Sequence, residues 1–395
     1  MANRRPATVS LTPRERVRIA LDHAEPDRVP IVVGASNATG MKMRPYRGLA
    51  NLLGRPADER YIYDWPELGT ANPSEAILER LGTDVRPVFD AIPAATRQRN
   101  RSRPPHAPCI DDWGSGQVEV DEGNWYPGVH PLREAETLAA IEAYPWPDMD
   151  DLSRVAHVRA EAARLAADDQ YAIMATPWLL FPLERAFAMQ GMETFLGNLA
   201  LEPEFAEALL RRIAGLCTQL MGHFLRELGD DVDIIKIGDD LGTEESLLMS
   251  PAMYRRILKP IHAEYIAFIR AHTRARIFFH TDGDVTDLVD DFVEIGVDIL
   301  NPIQTSSGRM ADIAALKRRH GDHLSFCGAI DTKRVLPYGT PAEVRAEVRR
   351  VIATLAPGGG YLLAAVHTIM DEVPPENILA MVDAAMEDGR YPLRS

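Results

Sequence analysis

From residue 152 onward the chain alternates between two patterns of apolar and polar residues. Amphipathic stretches with a helical period are each followed by a short run that is apolar almost throughout. "DLSRVAHVRAEAARLAAD" leads into "YAIMAT", residues 182–228 into "VDIIKIGDD", and "SPAMYRRILKPIHAEYIAFIRAHT" into "ARIFFHTDG". Three more repeats end in "DILNPIQ", "LSFCGAID" and "YLLAAVH". Runs of this length without alternation suit strands covered on both faces, so the pattern predicts parallel βα units. "VPIVV" at 29–33 and "DVRPVF" at 84–89 bring the strands to eight, which predicts a closed (β/α)8 TIM barrel, with a doubly wound open sheet as the alternative. Residues 1–395 are read as one domain.

Two regions depart from the repeat. Residues 1–28 form an N-terminal helical extension, with a helix beginning at Thr12 as N-cap, Pro13 in the first turn and Glu15 completing a capping box. Residues 96–150 are rich in Pro, Gly and Trp, with runs such as "IDDWGSGQVEVDEGNWYPG", and are read as an irregular excursion containing a hairpin. "PGGG" at 357–360 lies after a helix and before a strand, which is the wrong side of the unit for a phosphate loop. A helix end and tight turn is expected there.

Composition narrows the partners. A net charge of −15 offers no general attraction to nucleic acid or to an anionic membrane, so a small-molecule substrate or a protein partner is expected. No run approaches the ~20 apolar residues of a membrane helix. The N-terminus has no apolar stretch of signal-peptide length, and three scattered cysteines form neither a CxxC nor a disulfide framework. A cytoplasmic location is expected.

In a barrel of this kind the residues that follow each strand meet on one rim, where barrel enzymes carry their chemistry. Here these residues are polar: Asp239 and Asp240, His280 and Asp282, Asn301 and Gln304, Asp331, and His367. For Asp284, Asp331 and Asn301, turn formation and helix capping explain the residue type at least as well. Histidine is neither a preferred turn former nor a preferred cap, and His280 and His367 each end a strongly apolar run. With Asp282 they make a candidate metal set for Zn²⁺ that leaves a position open, or an acid–base set without metal. Asp239 and Asp240 are candidate supports. Trp178, Met41, Arg44, Asn301 and Gln304 are candidate substrate contacts, although core packing is an equal reading for Trp178 and a solvated basic loop for 41–47. Cys327 lies inside a strand and is read as core.

The order of motifs "LTPRERVRIALDHAEPDRVPI", "IKIGDDLGT", "FFHTDGDV", "EIGVDILNPIQ", "LSFCGAIDT" and "APGGGYLLAAVHTIMDEVPPENILAMVDAA" resembles the uroporphyrinogen decarboxylase superfamily. That superfamily also contains zinc-dependent, corrinoid-linked methyltransferases. The resemblance implies a (β/α)8 barrel, often a homodimer. It also implies that His367 matches a substrate-site histidine of the decarboxylases. Where the decarboxylases carry an Arg-Gln-Ala-Gly-Arg grip, this chain has "GASNATGMKMRPYRG". Where the thiol methyltransferases have H-x-C and a later cysteine, it has His280-x-Asp282 and His367. The resemblance therefore implies a metal-dependent methyltransferase that passes a methyl group from a small methoxy compound to a corrinoid, held by a partner protein or bound free. A carboxy-lyase and a non-catalytic ligand-binding barrel are the alternatives.

Overall fold

The computed structural model describes residues 11–121, 124–178 and 181–393. Seven parallel strands curl into one sheet in the order β1 (Val85–Phe89), β5 (Ala172–Thr176), β6 (Ile234–Gly238), β7 (Arg276–His280), β8 (Ile299–Ile303), β9 (Ser325–Ile330) and β10 (Tyr361–Ala365). β2 (Cys109–Ile110), β3 (Gly116–Asp121) and β4 (Asn124–Val129) form a separate antiparallel sheet within the excursion. Helices intervene between successive strands of the large sheet from β5 onward, as the apolar pattern predicts.

"VPIVV", expected as a full strand, is reduced to a single bridge, yet it closes the ring. Val32 N–H donates to the Leu363 carbonyl (2.8 Å) and Leu363 N–H to the Pro30 carbonyl (2.8 Å), while Asp84 N–H donates to the Ile31 carbonyl (2.9 Å). The segment thus lies between β10 and the start of β1. It cannot extend the ladder because Pro30 has no N–H, and the Ile31 and Val33 donors go to the side chains of Asp84 (2.7 Å) and Thr83 (3.1 Å). The fold is a TIM-barrel-like α/β ring with a side-chain-mediated seam.

Alternate residues of the strands face inward. Val85, Met174, Ile234, Phe278, Ile299, Cys327 and Leu362 share one buried cluster, and Val17 and Leu21 of the helix Pro13–Leu21 join it from below. The N-terminal helix therefore plugs the barrel floor, with the expected capping box at Thr12 and Glu15. Aspartates just before three strands repeat one device: Asp84, Asp233 and Asp298 accept the N–H groups of Ile31, Ile173 and Ile277 respectively. Arg14 and Arg18 pair with Asp233, and Arg16 and Arg28 with Asp84, so the buried carboxylates are compensated. All this charge lies at the N-terminal ends of the strands and leaves the opposite rim for chemistry.

The excursion contains more regular structure than expected: a helix Ala94–Arg101, the three-stranded sheet and a helix Leu138–Ala143. Two buried arginines fasten its "DDWGS" turn to the barrel, Arg185 to Asp111 and Arg154 to Asp112. The "PGGG" stretch is a turn in which Gly358, Gly359 and Gly360 all have φ between +72° and +79°, as its place between helix and strand predicts. None of the helices among the described residues is long and apolar enough to cross a membrane.

Candidate metal centre

β7 delivers His280 as its last residue, directed inward because Phe278, two residues earlier, faces the barrel interior. The chain then turns sharply. Gly283 has φ +93°, and a Cβ at that position would stand 2.4 Å from the Thr243 carbonyl oxygen, so only glycine lets the loops after β6 and β7 pack backbone to backbone. This turn brings Asp282 back over His280. His367 enters from the loop two residues beyond β10.

The structure brings His280, Asp282 and His367 together, with one ligand atom from each lying within 4.8 Å of the others. His280 Nε2 stands 3.8 Å and His367 Nε2 3.6 Å from Asp282 Oδ2, and the ring centroids are 5.3 Å apart. His280 Nδ1 lies 2.7 Å from Asn301 Oδ1, and Asn301 Nδ2 donates to the Cys327 carbonyl (3.3 Å). The amide is thus oriented with its oxygen toward the ring, which places the proton on Nδ1 and leaves the Nε2 lone pair for the centre. Burial pushes His367 down to about 4, with His280 acting in the same direction against Asp282, so this imidazole is neutral at physiological pH. A neutral imidazole is the state in which a histidine can bind a metal.

Asp240 lies beside this trio and Asp239 does not. Asp240 Oδ1 accepts the Asp282 N–H (3.0 Å), and burial next to the Asp282 charge raises its proton affinity. Asp239 is fully buried and turns away: it accepts the N–H groups of Leu183 (3.0 Å) and Glu184 (2.9 Å) and contacts His262 Nε2 (3.1 Å). It therefore caps the helix Leu183–Gln190 and does not reach the centre.

Four of the five expected substrate contacts sit elsewhere. Met41 is completely buried in the main core, where it bridges Ile369, because the loop after "VPIVV" returns to the barrel edge before its helix Met43–Leu52 begins. Arg44 is exposed on that helix, and it is Lys42 that turns toward the rim, donating to the Leu68 carbonyl (2.6 Å). Asn301 is fully buried behind His280, so it orients a ligand without facing a substrate. Gln304 accepts the Gly283 N–H (2.7 Å) and also lines the cleft. Trp178 packs between Tyr63 (5.0 Å) and Trp65 (5.8 Å) in an aromatic cluster. Asp284 and Asp331 do what the turn reading predicts. Asp284 accepts from Thr286 and Arg309 N–H, and Asp331 from Lys333 and Arg334 N–H.

A cleft of about 610 Å³ opens onto Asp282 and His367 of the trio and is lined also by Gln304, Thr332 and Thr368, with the Lys333–Glu244 ion pair at its edge. Beneath it lie charged residues that the strand-end argument passed over. Lys236 lies within β6, and Glu184 lies in the first turn of the helix capped by Asp239. The Lys236 ammonium acts on Glu184, Asp240 and Asp282. A charged residue inside an apolar strand, "IIKIG", was the available signal. Asp90, just after β1, was also missed. Its Oδ1 accepts the Trp178 N–H (2.6 Å), its buried Oδ2 has no hydrogen-bond partner among the described residues, and burial pushes it up to about 7.

Fold and site define a barrel whose rim carries an imidazole–carboxylate centre. The uroporphyrinogen decarboxylase (URO-D) family model matches residues 115–387, and the chain belongs to that family. Among curated relatives, the uroporphyrinogen decarboxylase of Alkalilimnicola ehrlichii is 26% identical over 261 residues, covering 65% of this chain and 67% of that protein. The uroporphyrinogen decarboxylase of Aeromonas salmonicida is 23% identical over 265 residues, covering 65% and 70%. Among solved structures, a methyltransferase from Methanosarcina mazei superposes with a TM-score of 0.67 at 18% identity, over 95% of this chain and 99% of that one, which shows a shared fold.

Proposed function

We propose that this chain is a metal-dependent methyltransferase of the family, which removes a methyl group from a small methoxy compound and passes it to a reduced corrinoid supplied by a partner protein or bound free. The observation that carries the proposal is the convergence of His280, Asp282 and His367. Two imidazoles and one carboxylate with an open side suit Zn²⁺, and the ion would supply a Lewis acid for an ether oxygen. The surroundings favour a cation as well. Glu184, Asp240 and Asp282 outnumber Lys236, and burial of this excess acidity raises the proton affinities of Glu184 and Asp240. A dication would relieve it.

The protein's own residues do the remaining work. Asn301 keeps the His280 ring in place, Gln304 and Asp240 hold the backbone of the Asp282 turn, and the cleft admits a small substrate from the rim. Replacing the thiolates of H-x-C relatives with carboxylate and imidazole makes a harder centre, suited to oxygen and poorly suited to activating a thiol.

A carboxy-lyase is the second reading, favoured by the names of the curated relatives. The loop after "VPIVV" weighs against a porphyrinogen. Arg44 is exposed, and Arg47 is paired with Glu59, so neither forms a carboxylate grip over the rim. The deciding experiment combines metal analysis with a spectral assay of reduced cobalamin, offered a panel of methoxy compounds, and a parallel assay for carbon dioxide release from uroporphyrinogen. Zinc with cobalamin methylation supports the proposal. Carbon dioxide release without cobalamin methylation replaces it with the second reading.

A further inference from the structure

We propose that Lys236 is the acid of this site, giving a proton to the substrate oxygen from which the methyl group departs. Ile234 lies in the barrel-interior cluster, whereas Ile235 and Ile237 pack outward against the helices, so strand alternation turns Lys236 inward. In the β6–β7 register Lys236 is level with Phe278, one interior layer below His280. From that layer its ammonium interacts electrostatically with Asp282, Asp240, Glu184 and His367.

The residue type carries further meaning. Of 43 basic residues five are lysines, namely Lys42, Lys236, Lys259, Lys317 and Lys333. Lys259 and Lys333 serve ion pairs with Asp291 and Glu244, and Lys317 and Lys42 donate to the carbonyls of Gly359 and Leu68. Several buried carboxylates elsewhere are met by arginine, as Arg16 meets Asp84 and Arg185 meets Asp111. Arginine keeps its proton, and lysine can release it. Burial weakens the hold of Lys236 on its proton while Glu184, Asp240 and Asp282 favour the charged form, a balance suited to a donor.

The step balances as follows. The methyl C–O bond breaks and the methyl group passes to the reduced corrinoid, whose cobalt is oxidised by two electrons. The bonding pair stays on oxygen, which takes a proton from Lys236 Nζ to leave an alcohol or phenol, and the neutral amine is reprotonated from solvent.

Because the role rests on the demethylase reading, its test must fail separately from that reading. Zinc-loaded wild type, Lys236→Met and Lys236→Arg are assayed with aryl methyl ethers whose phenols span a range of acidity. Both variants should keep their zinc and lose about 10²–10³-fold on the least acidic leaving phenol, but only a few-fold on the most acidic. A uniform loss across the series, or full activity of Lys236→Arg on the poorest leaving group, overturns the acid role while leaving the demethylase reading intact. A readout without turnover uses 4-nitrophenol, whose ionisation is visible by absorbance. Bound to wild type it should ionise at a pH about one unit or more below that in Lys236→Met. Equal ionisation, or no binding, also overturns the placement of Lys236, whether or not any ether is turned over.

Discussion

Asn301 would shape the proposed metal centre without touching the metal. Its oxygen sits 2.7 Å from His280 Nδ1 and its nitrogen is spent on the Cys327 carbonyl, so the imidazole is left with one tautomer and one orientation. Asn301→Ala should weaken zinc binding about 10–100-fold without unfolding the protein, measured by competition with a chromogenic chelator. Unchanged affinity would remove the orienting role. Asp282→Cys should hold zinc at least as tightly, because thiolate is the softer and stronger ligand, yet lose turnover of ethers relative to wild type. If the cysteine variant turned over ethers as well as wild type, the argument that carboxylate suits the centre to oxygen would fail.

At the scale of elements, the turn after β7 and the floor of the barrel carry the strictest local demands. Gly283→Ala combines a left-handed φ with a Cβ pressed against the Thr243 carbonyl, and it should cost about 1–3 kcal/mol or more and displace Asp282. Reduced zinc retention together with a lower denaturation midpoint would report both effects. Asp84→Ala leaves Arg28 without its carboxylate, Arg16 with Asp27 alone and the Ile31 N–H without its acceptor, so a loss of about 3–5 kcal/mol in urea unfolding is expected. The strands from β5 onward were legible because their apolar runs and intervening amphipathic helices need no outside information. "VPIVV" was legible as apolar but not as a seam, since nothing local indicates that Asp84 and Thr83 would take its donors. Within the site, His280 and His367 stood out because histidine is a poor turn former. Lys236 and Glu184 were hidden by their position, one inside a strand and the other in a helix, away from the strand ends where chemistry was sought. Asp239 misled because a strand-end aspartate that caps a neighbouring helix looks the same in sequence as one that serves the centre.

For the molecule as a whole, the helix ring is tied together by ion pairs whose pH dependence has a definite sign. Asp291 joins the helices Pro251–His272 and Val289–Ile295. Burial pushes its carboxyl up, but hydrogen bonds from Arg255 and Lys259 outweigh this and hold it below the ordinary carboxylate range. A folded-state pKa below the unfolded value near 3.8 means that the stabilisation is full above that pH and disappears as the pH falls through the folded value. Asp291→Asn should therefore cost about 1–3 kcal/mol at neutral pH, and the gap from wild type should close as unfolding is followed below pH 4. A gap that persisted in acid would show that the loss came from packing and not from charge. The central claim concerns the rim: His280, Asp282 and His367 hold a metal that the reaction needs. Elemental analysis of the purified protein, of His280→Ala and of His367→Ala, each assayed for cobalamin methylation before and after chelation, tests it most directly. About one zinc per wild-type chain is expected, lost from both variants and by chelation together with activity, and restored with activity on adding zinc back. A wild-type protein freed of metal that remained fully active would contradict the account.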